Sequence, residues 1–160
     1  ALPLCFIVSR LLMAIMYSES KLNASATNHK GSGATGLIQF MPETLKEFGI
    51  TTAQLQNLNH VEQLDFVKEY LERVKKVRQT EFETLTELYL GVLYPKALEY
   101  KTNPDFVLYA KPTIQYLSNR GLDFNKDGKV TIRDIDKRMK KLYSTAYKTM
   151  LQPSPKGGKN

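Results

Sequence analysis

Two sets of residues in this sequence have the types and spacing to do chemistry. The first centres on Glu19, which closes an apolar stretch from Leu2 to Tyr17 interrupted clearly only by Ser9 and Arg10. A carboxylate at the C-terminal end of a helix stands at the negative end of the helix dipole, so its ionised form is disfavoured there. Desolvation by the apolar helix acts in the same direction, and the expected pKa is raised. Such a group can hold a proton near neutral pH and deliver it as a general acid. The second set is Asp123, Asn125, Asp127, Lys129 and Asp134 in the run DFNKDGKVTIRD. Three carboxylates, an amide oxygen and the backbone carbonyl of Lys129 are hard oxygen donors of the kind that hold Ca2+.

The elements that must position these groups read as helices. The first spans about residues 4–18, with Pro3 in its opening turn. It is apolar nearly all round, as a central core helix should be. Cys5 within it is expected to be a small buried hydrophobe. Residues 20–36 are rich in Ser, Asn, Ala, Thr and Gly and read as a loop, in which Gly31, Gly33 and Gly36 allow turns or a close approach to a ligand. A short helix starts near Pro42 and stops by Gly49. Asn59 and Glu62 have the spacing of a capping box. Val61, Leu64, Val67, Leu71 and Val74 then form one apolar stripe. A further helix covers about 82–93, with Leu85, Leu88, Tyr89 and Val92 inward. Residues 101–112, with Pro104 and Pro112, read as an irregular connection. A short helix at about 113–120 and a long one at about 131–151 follow, the latter with Ile132, Ile135, Met139, Leu142, Ala146 and Met150 on one face. The tail 152–160 is expected to be disordered. There is no internal repeat and no convincing strand set, so the class is all-α.

Residues 17–49 read YSESKLNASATNHKGSGATGLIQFMPETLKEFG. Glu19-Ser20, Asn23, Ala26, then Gly33-Ala34-Thr35-Gly36-Leu37-Ile38-Gln39-Phe40-Met41-Pro42 with Thr44, resembles the catalytic core of soluble lytic transglycosylases, a fold shared with goose-type lysozyme. The resemblance implies that Glu19 protonates the leaving oxygen beyond N-acetylmuramic acid. The same carboxylate then takes the proton of the sugar's own C6 hydroxyl, giving a 1,6-anhydro product and consuming no water. Most glycosidases need a second carboxylate at a set distance. Glu43 and Glu47 follow Pro42, and Glu43 suits a first helical turn for dipole reasons alone; this fits the single-acid mechanism that the resemblance implies.

The resemblance also implies substrate-binding roles. Ser20 would lie beside the acid and hydrogen-bond the sugar or Glu19. Gln39, with both a donor and an acceptor, would face the sugar cleft, with Met41 near it. The family's usual Ala-Tyr-Asn is matched here by Leu88-Tyr89-Leu90: Tyr89 is kept, and Leu90 replaces the Asn. Tyr94 is a further candidate. This departure resembles a branch of the family found in phage virion proteins and their bacterial relatives. His29 reads as an exposed loop residue and His60 as a helix-start residue, with no chemistry implied for either.

In the second set, Asp123, Asn125 and Asp127 occupy positions 1, 3 and 5 of an EF-hand loop, with Gly128 at the sharp turn and Val130 inward. Asp134 stands where Glu is expected, and its shorter reach predicts weaker affinity or a site that partly admits magnesium. The calcium is expected to be structural, not catalytic.

The formal charge is +7, and the last 35 residues hold ten basic and three acidic side chains. A neutral body with a basic end suggests an anionic partner, here steering toward the cell wall. Basic residues are not interleaved with aromatics over a surface, so no nucleic-acid partner is expected. The first apolar run has Arg10 in its middle, no small-residue cleavage site and too little length for a membrane span. It reads as a core helix, in a chain that is processed or part of a larger virion or secreted protein. One cysteine excludes an internal disulfide.

The expected whole is a monomer acting in the periplasm or extracellular space. A lysozyme-like all-α core over 1–112 carries an EF-hand-like helix-loop-helix over 113–151, packed on it. The expected activity is peptidoglycan glycan-strand cleavage between N-acetylmuramic acid and N-acetylglucosamine. Hydrolysis of goose-type lysozyme kind is the runner-up, and a non-catalytic calcium-dependent wall or virion module is the rival from a different class.

Overall fold

A computed structural model describes residues 4–29 and 31–150, with side chains placed over 9–29 and 31–144. The readings of Cys5, Ala146, Met150 and the tail 152–160 lie outside the described side chains or residues. The chain forms two units, Ala1–Lys101 and Thr102–Asn160.

The first unit is helical. Its elements are α1 (Leu4–Ser20), α2 (Pro42–Glu47), α3 (Thr52–Gln56), α4 (His60–Arg78), α5 (Leu85–Leu93) and a 3-10 turn, Pro95–Tyr100. In α1, Ala14, Ile15 and Met16 are buried, but Met13 and Tyr17 are 39% and 45% exposed. The expectation of a helix covered all round is thus corrected for its second half. Arg10, Met13, Tyr17 and the following Lys21 recur at spacings of three and four on an open stripe, because the helix is packed from one side there. Lys21 Nζ lies 4.5 Å from the centroid of the Tyr17 ring.

Helix α3 was not expected. Thr51 and Gln54 form a complete capping box at its start, and its five residues are too few to show a periodicity. Helix α4 starts as predicted: Asn59 accepts from Glu62 N–H, and Glu62 accepts from Asn59 N–H. Its inward stripe is rotated from the expected one. Val61 is 74% exposed and Leu64 37%, whereas Gln63, Val67, Leu71 and Val74 are buried. An amide can take a core position when all its polar atoms are bonded, and Gln63 meets that condition.

On α5, Leu88, Tyr89, Leu90 and Gly91 are buried, while Leu85 and Val92 are half-buried. Tyr70 of α4 donates to Gly91 O at 2.8 Å, and burial pushes its phenol up to about 12. A methyl at Gly91 would stand 2.7 Å from the Phe82 ring, so glycine here permits close packing.

The second unit contains β1 (Val107–Ala110), α6 (Ile114–Asn119), a 3-10 turn at Arg120–Leu122, β2 (Lys129–Thr131) and α7 (Ile132–Met150). The strands pair antiparallel, Val107 with Thr131, Tyr109 with Val130 and Ala110 with Lys129, with an irregularity between Val107 and Tyr109. Residues 101–112 are therefore not wholly irregular. The strand is four residues long and its partner lies in a polar loop, so local pattern does not reveal it. Residues 102–112 fall in this unit. Val130, Ile132, Ile135 and Met139 are buried, as the predicted face of the last helix requires.

Candidate active site

Helix α1 runs two residues further than its sequence pattern indicates, so Glu19 stands in the last turn, half-buried. The chain then leaves the helix through two consecutive left-handed residues, Lys21 (φ 56) and Leu22 (φ 62). Lys21 N–H bonds Tyr17 O at 2.9 Å and Leu22 N–H reaches Met16 O at 3.4 Å, so the turn folds back onto the end of the helix. Each side chain in this region costs about 1–2 kcal/mol, so the turn has to be held from outside. His60 Nε2 lies 2.8 Å from Leu22 O. A carbonyl can only accept, so Nε2 carries the proton.

The rest of the loop folds as a small set of bridges. Thr35 pairs with both Thr27 and Phe40. Thr35 N–H bonds Phe40 O at 2.9 Å, Phe40 N–H bonds Thr35 O at 2.8 Å, and Gly36 N–H bonds Ala26 O at 2.9 Å. Thr35 is fully buried, and its hydroxyl is 3.2 Å from that of Thr27 and 3.0 Å from Gly33 O. Gly36 has φ 86, and a Cβ on it would stand 2.7 Å from Gln63 Oε1, so no other residue fits without moving that side chain.

Ser20 is buried, and its hydroxyl lies 2.9 Å from Met16 O and 3.0 Å from Leu37 O. Its one proton is shared between these carbonyls, which ties the end of α1 to the loop. Gln39 is half-buried at φ 57, and its amide nitrogen donates to Ala26 O at 3.2 Å and Gly36 O at 3.0 Å. Both residues thus hold the loop in shape. Met41 is 44% exposed and precedes α2. Tyr89 is buried on α5, which packs against α1, and Tyr94 is half-buried at the end of α5. Leu90 is fully buried. The position where the resemblance leads one to expect an Asn is therefore core.

Glu43 is exposed in the first turn of α2. Glu47 pairs with Arg73 at 3.8 Å, and the Arg73 guanidinium lies 4.3 Å from the Phe48 ring centroid. His29 is exposed. The residue that sequence reasoning missed is Gln63. Its signal is a polar side chain four residues before Val67, on the line of buried positions.

The second candidate site lies in the second unit. Asp123 is buried, and its carboxylate accepts from Asp127 N–H at 3.2 Å, Gly128 N–H at 2.9 Å and Tyr116 Oη at 2.7 Å. Burial alone would raise its pKa, but the Tyr116 and backbone hydrogen bonds outweigh it and hold the carboxyl below the usual range. The same bond raises the Tyr116 phenol. Asn125 accepts from Asp127 N–H at 3.2 Å and donates to the Asp127 carboxylate at 3.0 Å, and Asp127 accepts from Lys129 N–H at 2.9 Å. Gly128 has φ 89. Buried Asp134 accepts from Thr131 N–H at 2.9 Å and from its hydroxyl, while Thr131 Oγ1 accepts from Asp134 N–H at 3.3 Å. That is a reciprocal cap at the start of α7. The donor types suit Ca2+, but the carboxylates do not converge: among the described residues no group of three or more His, Cys, Asp or Glu is placed to hold a metal ion.

A family model described as Transglycosylase SLT domain matches residues 6–85, half of the 160-residue chain. The chain belongs to this family. The match covers α1, the Glu19 loop and α4 and ends at Leu85, ahead of Tyr89, Tyr94 and the 123–134 loop. At the family level the transglycosylase SLT domain implies lytic-transglycosylase-type cleavage of peptidoglycan, within the lysozyme-like superfamily. No curated protein and no solved structure matches the chain. Among the described residues no helix is long and apolar enough to cross a membrane.

Proposed function

We propose that the chain cleaves the glycan strands of peptidoglycan between N-acetylmuramic acid and N-acetylglucosamine, with Glu19 as the single acid and base. The observation that carries this reading is a half-buried Glu19 in the last turn of an apolar helix, followed by a hydrogen-bonded loop within the family match. Glu19 gives its proton to the leaving oxygen as the glycosidic bond breaks. It then takes the proton of the C6 hydroxyl as that oxygen closes on C1, so the ring anhydride forms and the carboxyl is regenerated. Ser20 and Gln39 act by holding the loop, with Met41 and Tyr94 as the proposed sugar contacts; Tyr89, buried on α5, backs the site instead of touching sugar. A wall substrate implies action in the periplasm or outside the cell, and Leu90 in place of Asn favours the virion-protein branch.

Mass spectrometry of products from purified sacculi tests the reading. Anhydro ends support it, and reducing ends mean that water takes the place of the C6 hydroxyl, as in goose-type lysozyme. Wall binding without any product would leave a non-catalytic module.

We also propose that the 123–134 loop takes Ca2+ in a structural role, through Asp123, Asn125, Asp127, the Lys129 carbonyl and Asp134. The support is the oxygen-donor spacing and the tight turn at Gly128. Binding would require Asp134 to turn from Thr131 toward the ion. Calorimetric titration of the chelated protein with CaCl2 tests this; no heat and no stabilisation would exclude it.

A further inference from the structure

We infer that the first turn of α4 positions the catalytic carboxylate, with Gln63 as its principal positioning residue; the inference rests on the reading of Glu19 as the acid. Gln63 is fully buried and uses both ends of its amide. Oε1 accepts from Leu37 N–H at 3.1 Å, and Nε2 donates to Ala24 O at 2.6 Å and to Leu55 O at 2.9 Å. Leu37 O in turn lies 3.0 Å from the hydroxyl of Ser20, the residue next to Glu19. The backbone of one residue, Leu37, is thus gripped at its N–H by Gln63 and at its C=O by the end of α1.

The turn after Glu19 is pinned at three alternate positions. Ser20 is held through Leu37, Leu22 O by His60 Nε2 and Ala24 O by Gln63 Nε2. His60 and Gln63 share one turn of α4, whose start is set by the Asn59–Glu62 capping box. The middle of the pinned segment is the left-handed pair Lys21–Leu22, a conformation that relaxes unless its surroundings hold it. A buried polar group satisfied on every side has few alternative arrangements. Gly36, whose missing Cβ leaves room for Gln63 Oε1, completes the fit. Gln63 touches no substrate; it acts through Leu37, Ser20 and Ala24.

The experiment compares Gln63→Met, Gln63→Glu and Tyr70→Phe in the full chain. Tyr70→Phe removes a partly buried hydrogen bond from the same helix and keeps the ring that packs edge-on against Phe40 of the loop. The readouts are kcat and KM on glycan strands, hydrogen exchange at the Leu37 amide, and the 13C shift and titration of the Glu19 carboxyl. For Gln63→Met we expect kcat to fall about 10–100-fold with KM within about threefold, as for a misplaced catalytic group, and Leu37 to exchange at least about tenfold faster. Gln63→Glu keeps an acceptor for Leu37 and, once protonated, one donor. It should recover much of the rate at mildly acidic pH and stands in if the Met variant does not fold. Tyr70→Phe should leave kcat unchanged. Equal losses for Gln63→Met and Tyr70→Phe, or an unchanged Leu37 exchange rate, overturn the inference. If the wild type releases no glycan products, the functional reading falls. The positioning role is then decided by the Glu19 13C titration: movement in Gln63→Met upholds it, and no movement overturns it.

Discussion

Gln63 Oε1 accepts a 3.1 Å hydrogen bond from the Leu37 N–H across 26 residues of sequence, inside the core of the first unit. This bond joins the long helix α4 to the loop behind Glu19. It makes the path of the chain after Glu19 depend on the whole unit and not on the motif alone.

Glu19→Gln should remove lysis of sacculi, lowering the rate by about 10²–10⁴ as loss of a general acid and base does, while leaving sedimentation with sacculi intact. The amide keeps the size of the side chain and loses the proton chemistry. Turbidity clearance at the wild-type rate would show that another group carries the reaction.

Gly36→Ala should destabilise the first unit by about 2–4 kcal/mol, from the left-handed backbone and from overpacking. The new methyl would meet Gln63 Oε1 at 2.7 Å and Leu55 Cδ2 at 2.9 Å. Gln63 is tied by three bonds and cannot swing away cheaply. Denaturant unfolding measures the change in midpoint; an unchanged midpoint would mean that the loop shifts freely.

The Asp123 carboxyl has a depressed pKa in the folded state. Its contribution to stability is therefore fully present above the unfolded Asp value of about 3.9 and is lost as pH falls from there through the folded value. Acid titration of the folded protein should show this loss. Asp123→Asn should flatten the dependence in that window, and an identical acid limb in both proteins would contradict the assignment.

Calcium should raise the melting temperature of chelated protein in a concentration-dependent way, by about 2.7 kcal/mol of stabilisation at a hundredfold excess over Kd. Asp134→Ala should abolish the rise and also lower the metal-free stability by about 1 kcal/mol, because it removes the cap at Thr131. A melting temperature indifferent to calcium and to chelator would leave Asp134 with the capping role only.

Much of the architecture was legible locally. Asn59 and Glu62 announced the start of α4 because a capping box is made within four residues. The run from Glu19 to Pro42 carried the family signature in its residue order, and the family match covers that run. The buried face of the last helix, Ile132, Ile135 and Met139, followed from spacing alone. Other features were not legible, because their causes lie elsewhere in the chain. Strand β1 exists because Val107–Ala110 meets Lys129–Thr131. Val61 and Leu64 look inward by pattern, yet the helix turns Gln63 to the core because three distant backbone groups meet it there.

The amino-acid order by itself determined the helical character, the candidate acid and the donor spacing of the 123–134 loop, since propensity, capping and motif spacing act over a few residues. Only the tertiary structure decided that Ser20 and Gln39 clamp the loop, that Asp134 caps its own helix and that Gln63 bonds the loop at Leu37 and Ala24. A hydrogen bond is chosen by which groups burial brings within about 3 Å, and burial is settled by the packing of the whole unit.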